Sequence, residues 1–442
     1  MSKRLTIKNG HVVDPRNNID GIFDIVVENG KISGIQKCAG TGNELNGDTA
    51  GEVIDAAGLY VFPGFIDLHV HFREPGFEYK ETIKTGSRAA AAGGYTSVCM
   101  MPNTSPVIDS PEKVRNIINK IKEDSCVNTL VIGAITVGEN GKELTDIKGM
   151  RDAGAVAISD DGKSVMDEHL MQRATEIAKE NDIPIFDHCE DINLVNGGVM
   201  NYGKRADELR LPGIKNIVEE KIEERDIELS AKYGTRIHLC HCTTRGAVKI
   251  IREAKKKYDF VTAETCPHYI ALTEDDILCD DGNYKMNPPL RTAKDRDALI
   301  DAICDGTIDV ISTDHAPHSK EEKNKSMRTA PFGIVGLETA FSICYTALVK
   351  TGLISVSGLI KMMSTRPAEI LNAGQKKIPC GSLGVGDAAD IAICDLSEEY
   401  EVDPAEFKSK GTNTPFAGKK VSGRVKYTIV KGEIVYDRKI DR

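Results

Sequence analysis

Apolar and polar positions alternate in short runs over the first sixty residues. "RLTIKNGHVV", "DIVVENGKISGI" and "GEVIDAAGLYVFPG" carry the period of two expected of β-strands. Asn9-Gly10 and Asn29-Gly30 interrupt them, and such dipeptides favour tight hairpin turns. The C-terminal end repeats the pattern in "GSLGVGDAADIAICDL" and "GRVKYTIVKGEIVYD", with Lys431-Gly432 at a turn. Both ends together predict one small β domain built from residues 1–59 and 373–442.

Residues 60–372 follow another rhythm. Short apolar runs, "FIDLHVHF", "YTSVCMM", "TLVIGAIT", "AVAIS", "IPIFDHC", "TRIHLCHC", "FVTAETC" and "DVISTDHA", alternate with longer stretches of helical period. "SPEKVRNIINKIKE" has Ser110 to cap a helix and Pro111 for its first turn. "DEHLMQRATEIAKEN" and "IEERDIELSAKY" are of the same kind. Strand and helix alternating eight times predict an α/β fold, a (β/α)8 TIM barrel, with the small β-sandwich formed by both termini. An open doubly wound sheet is the alternative, but no GxGxxG follows the first strand.

Composition narrows the possible partners. Among 442 residues the net charge is −10, without a long basic block, so no nucleic-acid partner is expected. The longest small-apolar stretch, Ala89–Met101, is broken at Gly93-Gly94 and is too short to span a bilayer. The N-terminal residues lack the apolar core of a secretion signal. Twelve cysteines without CxxC pairs predict reduced, mostly buried thiols and a cytoplasmic protein.

The chemistry gathers where the barrel strands should end. Residues two apart on a strand share a face, so His69 and His71 both point into the barrel near its C-terminal rim. Paired imidazoles there suit a divalent cation of the zinc type. "IPIFDHCED" adds His188 and "RIHLCHC" adds His241, with His238 left as a packed core histidine. Cys240 and Cys242 share a face with each other and not with His241, so thiolate ligation is disfavoured. "DVISTDHAPH" contributes Asp314, as ligand or base. Two cations sharing a pocket need an anionic bridge, and "ISDDG" supplies Asp161, with Asp160 as its alternative.

The motifs "DLHVHFREPG", "MPNT", "SDDG", "DHCED", "HLCHCTT", "ETCPHY", "KMNPPLR" and "STDHAPH" resemble, in that order, those of dihydroorotases of the amidohydrolase superfamily. The likeness runs from "KNGHVVDP" to "GDAADIAICD". It implies two zinc ions per subunit, bridged by Asp161 and a hydroxide, and reversible hydrolytic ring closure in pyrimidine synthesis. His69, His71 and Asp314 would hold one ion, and His188 and His241 the other. Asp314 would also be the catalytic proton carrier. Arg73, Asn103 and His318 would bind the substrate carboxylate, with His71 beside it. Asn287 and the backbone at Phe332 and Gly333 would take the ring's amide edge. The resemblance also allows a homodimer.

Three rivals remain. A hydantoinase, dihydropyrimidinase or allantoinase would carry a lysine bridge, and Lys163 follows the glycine instead. An inactive scaffold homologue would have lost ligands, and all six candidate positions are filled. A passive metal-binding protein has no need of Arg73, Asn103 and Asn287. His268 and His315 are not expected to be ligands; His11 and His169 are expected at the surface. "HSKEEKNKSMRTAPFG" reads as a polar, poorly periodic loop over the site, either a mobile cover or a plain connector.

Overall fold

The computed structural model describes residues 4–38, 51–372 and 381–441. Eight parallel strands form one sheet. They are β1 (Phe65–Val70), β2 (Tyr95–Met100), β3 (Asn128–Gly133), β4 (Ala155–Ile158), β5 (Ile185–Asp187), β6 (Ile237–Leu239), β7 (Val261–Thr265) and β8 (Val310–Ile311). Val70 bridges His315 in parallel fashion, and His71 N donates to His315 O at 2.8 Å, which joins the last strand to the first. The sheet is thus a barrel.

Helices lie between successive strands and bury an outer apolar layer that includes Val98, Val131, Ile185, Ile237 and Val261. A separate cluster, among it Ile66, Leu68, Cys99, Ile132, Ala157, Phe186 and Val310, fills the inside. Both strand faces are covered, which explains why these runs are apolar throughout rather than alternating. Helices start where expected: Ser110 accepts from Lys113 N before Pro111–Asp124, and Asp167 accepts from Leu170 N before Glu168–Glu180. The small-apolar stretch divides at Gly93-Gly94, between helix Ile83–Ala92 and β2.

The terminal segments share a second sheet, in the order 433–437, 420–430, 391–401, 60–63, 4–14, 19–28 and 31–37, with 52–55 against 4–14. It encloses its own core of Ile7, Val12, Ile25, Ile32, Val61, Ile391, Ile393 and Ile429. Tyr60–Pro63, on the barrel side of the expected limit at 59/60, pairs with His11–Val12 and with Ile391–Cys394 in this sheet. The limit expected at 372/373 borders residues 373–380, outside the described residues.

Asn29-Gly30 and Lys431-Gly432 are hairpin turns, but Asn9-Gly10 is not. There the strand Arg4–Asp14 continues through a bulge, with Asn9 at φ 60°. Asn9 N donates to Asp24 Oδ1 at 2.8 Å, and Asn9 Nδ2 to Asp55 Oδ1 at 3.0 Å, so neighbouring chain segments stabilise the irregularity. A side chain at Gly10 would place its Cβ 2.5 Å from Val61, so only glycine passes there.

His11, expected at the surface, is half-buried: its ring stacks on Tyr60 with centroids 4.5 Å apart. His169 is exposed. The eleven cysteines among the described residues are free, while Cys380 lies outside them. Among the described residues no helix is long and apolar enough to cross a membrane.

Candidate metal centre and substrate pocket

The C-terminal ends of the barrel strands bring four histidines and two aspartates to one point. Asp161 is central: its Oδ1 lies 3.2 Å from His69 Nε2, 3.7 Å from His188 Nδ1 and 3.8 Å from His241 Nε2. Its Oδ2 lies 3.5 Å from His71 Nε2. Asp314 Oδ1 is 3.0 Å from His71 Nε2 and 3.6 Å from His69 Nε2. His188 Nδ1 and His241 Nε2 are 2.9 Å apart. All six side chains are buried.

Two of these groupings, His69–His71–Asp314 and His69–Asp161–His241, have ligand atoms close enough to share one ion. His69 Nε2 and Asp161 Oδ1 are buried without hydrogen-bond partners. Orphaned buried acceptors facing one another demand a cation or a proton between them. Burial alone would raise the Asp161 carboxyl, yet the surrounding histidines hold it well below the usual carboxylate range. Burial disfavours a charged His69, yet Asp161 and Glu264 push its proton affinity well up. The pocket therefore stabilises positive charge at its centre, and a donor set of imidazole and carboxylate suits zinc-type cations.

Asp160 is turned away. It accepts from Ile135 N at 2.8 Å, from Thr136 N at 2.9 Å and from the Thr136 hydroxyl. Its role is structural: from the loop after β4 it anchors the loop after β3. Asp67 joins β1 to the segment after β8 by accepting from Thr313 N at 3.2 Å.

Parity does not by itself aim the histidines. Ile66 and Leu68 face the interior, and continued alternation would turn His69 outward. The register of β1 against β2 slips between Asp67 and Val70, so His69 and then His71 face inward as well. His238 on β6 and Cys240 just beyond it face the interior, while His241 reaches the centre through a left-handed backbone, φ 39°. Asp314 does so at φ 48°.

Glu264 was not anticipated from the sequence. This fully buried carboxylate accepts from His69 Nδ1 at 3.1 Å and from His238 Nε2 at 3.1 Å, and Ser312 Oγ donates to it. The acceptor at Nδ1 places the His69 proton there and frees Nε2 for a cation. His238 thus does more than pack. Its Nδ1 also contacts Thr262 Oγ1 at 2.9 Å. The only signal was an acid in an otherwise apolar strand run, "FVTAETC". Cys240 lies near His69 and Glu264, but burial pushes its thiol well up, so it is not a thiolate. His268 is buried and pushed down to about 4 by burial. His315 Nε2 faces Glu81 at 3.4 Å, away from the cluster.

Beside the cluster opens a cavity of about 150 Å³ lined by, among others, Arg73, Asn103, Asn287, Phe332 and Gly333. Asn103 Oδ1 accepts from His71 Nδ1 at 2.9 Å, and its Nδ2 donates to Asp161 Oδ2 at 3.2 Å. Asn287 Nδ2 donates to Glu190 Oε1 at 3.0 Å. Arg73, at φ 61°, forms no ion pair with Glu74 or Glu78; its Nε donates to Pro317 O at 3.2 Å. Glu74 is occupied by Lys120 at 3.1 Å and by Ile83 N.

His318, expected at the carboxylate, does not line this cavity. Its Nε2 lies 2.7 Å from Phe332 O and 3.3 Å from Arg73 Nη2, and Lys80 Nζ lies 3.2 Å from its Nδ1. An ammonium only donates, so Nδ1 accepts and Nε2–H donates to the Phe332 carbonyl. Burial beside Arg73, Lys80 and Lys323 pushes its pKa far down, which keeps it neutral.

The polar loop after His318 is not featureless. Ser319 and Glu322 form a capping box at helix Lys320–Lys323, and Lys323 is buried.

Residues 58–247 match the model of a dihydro-orotase-like family, and residues 341–436 that of an amidohydrolase family. The dihydroorotase of Acetivibrio thermocellus is 47% identical over 438 residues, covering 99% of this chain and 100% of the relative. That of Ruminiclostridium cellulolyticum is 46% identical, with 99% of each chain covered. Among solved structures, the L-hydantoinase of Arthrobacter aurescens superimposes with a TM-score of 0.86 at 25% identity, over 99% of this chain and 97% of that one. The barrel with its terminal sheet is thus shared with hydantoinases, whereas sequence kinship over the whole length lies with dihydroorotases. The chain is a cyclic amide hydrolase of the amidohydrolase superfamily and belongs to the dihydroorotase family.

Proposed function

We propose that the protein interconverts N-carbamoyl-L-aspartate and (S)-dihydroorotate in pyrimidine synthesis, using two zinc ions. The observation that carries this reading is Asp161, whose two oxygens face His69, His188 and His241 on one side and His71 on the other. A carboxylate so placed suits a bridge between two cations. Bound cations supply an acidified water and polarise a carbonyl.

The chain's own residues do the rest. Asp314, its carboxyl held low by His71, His69 and His241 despite burial, stays unprotonated at neutral pH and free to accept a proton. It would take the proton of the attacking water and deliver it to the leaving ring nitrogen; in the synthetic direction it would remove the ureido proton. Arg73 presents a planar fork to the substrate carboxylate, with Asn103 between it and the metal centre. Asn287 and the Phe332–Gly333 backbone complement the amide edge. His318 stands beside Arg73 at the carboxylate end and holds the Phe332 carbonyl.

The Arg73 guanidinium at the pocket wall, without a carboxylate partner among the described residues, favours an acidic ring over a neutral hydantoin. Purified protein reconstituted with zinc should hydrolyse dihydroorotate and leave hydantoin untouched. In the Asp314→Asn variant, zinc should stay bound while turnover falls by at least ~100-fold, the share of a general base. Preference for hydantoin would overturn the substrate reading, and an active Asp314→Asn enzyme would overturn the proton route. A division near 63/64 and 372/373, a cytoplasmic location and a homodimer complete the proposal.

A further inference from the structure

Lys323 is 2% exposed and has no carboxylate within ion-pair distance among the described residues. Its ammonium instead meets three carbonyl oxygens: Lys285 O at 3.0 Å, Pro331 O at 3.0 Å and Gly333 O at 2.7 Å. Three donors face three acceptors, which fully satisfies the group. The carbonyl between them, Phe332 O, accepts from His318 Nε2 at 2.7 Å. Asn413 Nδ2 adds a second donor to Gly333 O at 3.1 Å. Three successive carbonyls of the cavity wall are therefore held by side chains that lie behind it.

A trans peptide unit points its C=O and N–H in opposite directions. With the Pro331 carbonyl drawn towards Lys323, the Phe332 N–H of the same unit points away from it. Among the described residues that N–H has no acceptor, and Phe332 lines the cavity. Gly333 N, by contrast, is already committed to Lys285 O at 3.0 Å. Gly333 itself sits at φ +126°, where a Cβ would come within 2.6 Å of Ala316, so the segment tolerates no side chain that could substitute for the tether.

We infer that Lys323 is a positioning residue for substrate: by gathering the Lys285, Pro331 and Gly333 carbonyls it turns the Phe332 N–H into the cavity as a hydrogen-bond donor. This rests on the dihydroorotase reading of the site. Lys323 does not touch the substrate, and its influence passes through the backbone.

The test compares zinc-loaded wild type with Lys323→Met and Asp280→Ala. Asp280 holds the same loop at its exposed end, accepting from Met327 N at 2.6 Å and Ser326 Oγ at 2.5 Å. Lys323→Met should keep its zinc and raise KM for dihydroorotate about tenfold, the loss expected of one hydrogen bond, with kcat changed far less. Asp280→Ala should leave KM unchanged. An unchanged KM in Lys323→Met, or an equal rise in Asp280→Ala, overturns the inference. Should the methionine variant fail to fold, Lys323→Gln is read in the same way. A measurement on the unaltered protein stands beside these: bound dihydroorotate should slow amide exchange at Phe332, and unchanged exchange overturns the inference. Wild type inactive on dihydroorotate would instead remove the proposed function. In that case the exchange rates of residues 331–333 in Lys323→Met still report whether the lysine holds this backbone.

Discussion

Glu264 offers the sharpest test of how the barrel interior supports the metal centre. Glutamine keeps its volume in a site with no exposure. With its carbonyl oxygen at His69 Nδ1, the amide NH2 faces His238 Nε2 and Ser312 Oγ. Both can accept: His238 by moving its proton to Nδ1, where Thr262 Oγ1 lies at 2.9 Å, and Ser312 by rotating its hydroxyl. The fold should then lose only about 1 kcal/mol, the net worth of one hydrogen bond. What disappears is the negative charge that makes His69 Nε2 a strong donor to a cation. Losing such support weakens metal binding roughly 10- to 100-fold, about 1.4–2.7 kcal/mol. Alanine instead leaves the buried His69 Nδ1–H and its neighbours without an acceptor, which should cost roughly 3–5 kcal/mol of stability. Competition with a chromophoric chelator reads zinc affinity, and thermal unfolding reads the fold. Wild-type affinity in Glu264→Gln, or equal destabilisation by glutamine and alanine, would refute the coupling.

Asp160→Ala should lower stability by about 2–4 kcal/mol, since it strands two buried amides and a hydroxyl, yet keep the metal. Asp161→Ala should lose metal instead, and metal analysis beside thermal melts separates the two. Arg73→Met should raise KM for dihydroorotate roughly 10- to 100-fold through one lost charge-assisted contact, with metal content intact; an unchanged KM would exclude its carboxylate role. Glu139, buried and pushed up to about 8 by burial and by Asp160, stays protonated in the fold while the unfolded chain ionises near its ordinary value. Folding therefore binds an extra proton from about pH 4.5 to about pH 8, and stability falls as pH rises across that window. In chelator-treated protein, Glu139→Gln should remove up to about 1.4 kcal/mol per pH unit of this slope, and parallel melting curves would contradict it.

The barrel was legible because each parallel strand is covered on both faces, which leaves short apolar runs punctuated by capped helices. Ser110-Pro111 and Asp167 marked helix starts through purely local chemistry. Asn9-Gly10 misled because a bulge and a hairpin ask the same thing of a backbone, a left-handed residue followed by glycine. What separated them was Asp24 and Asp55, both distant in sequence. Tyr60–Pro63 is an apolar run like any barrel strand, and only its partners at His11 and Ile391 assign it to the terminal sheet. Lys323 was hidden in a charged stretch, where a lysine looks solvated until three carbonyls close around it.

The metal centre shows where residue patterns stop informing. Ligand types and their order along the chain were readable, since imidazoles and acids stand at the ends of apolar runs. Their aim was not, because three positions break strand geometry. His69 depends on the slip between Asp67 and Val70, while His241 and Asp314 depend on positive φ. Non-glycine residues resist that conformation by about 1–2 kcal/mol each, and they hold it only where the surroundings over-determine it. Here Glu264 fixes the His69 ring, and Asp67 fixes the turn into Asp314 by binding Thr313 N. The interior acids thus aim these side chains through hydrogen bonds of their own, from residues far away along the chain.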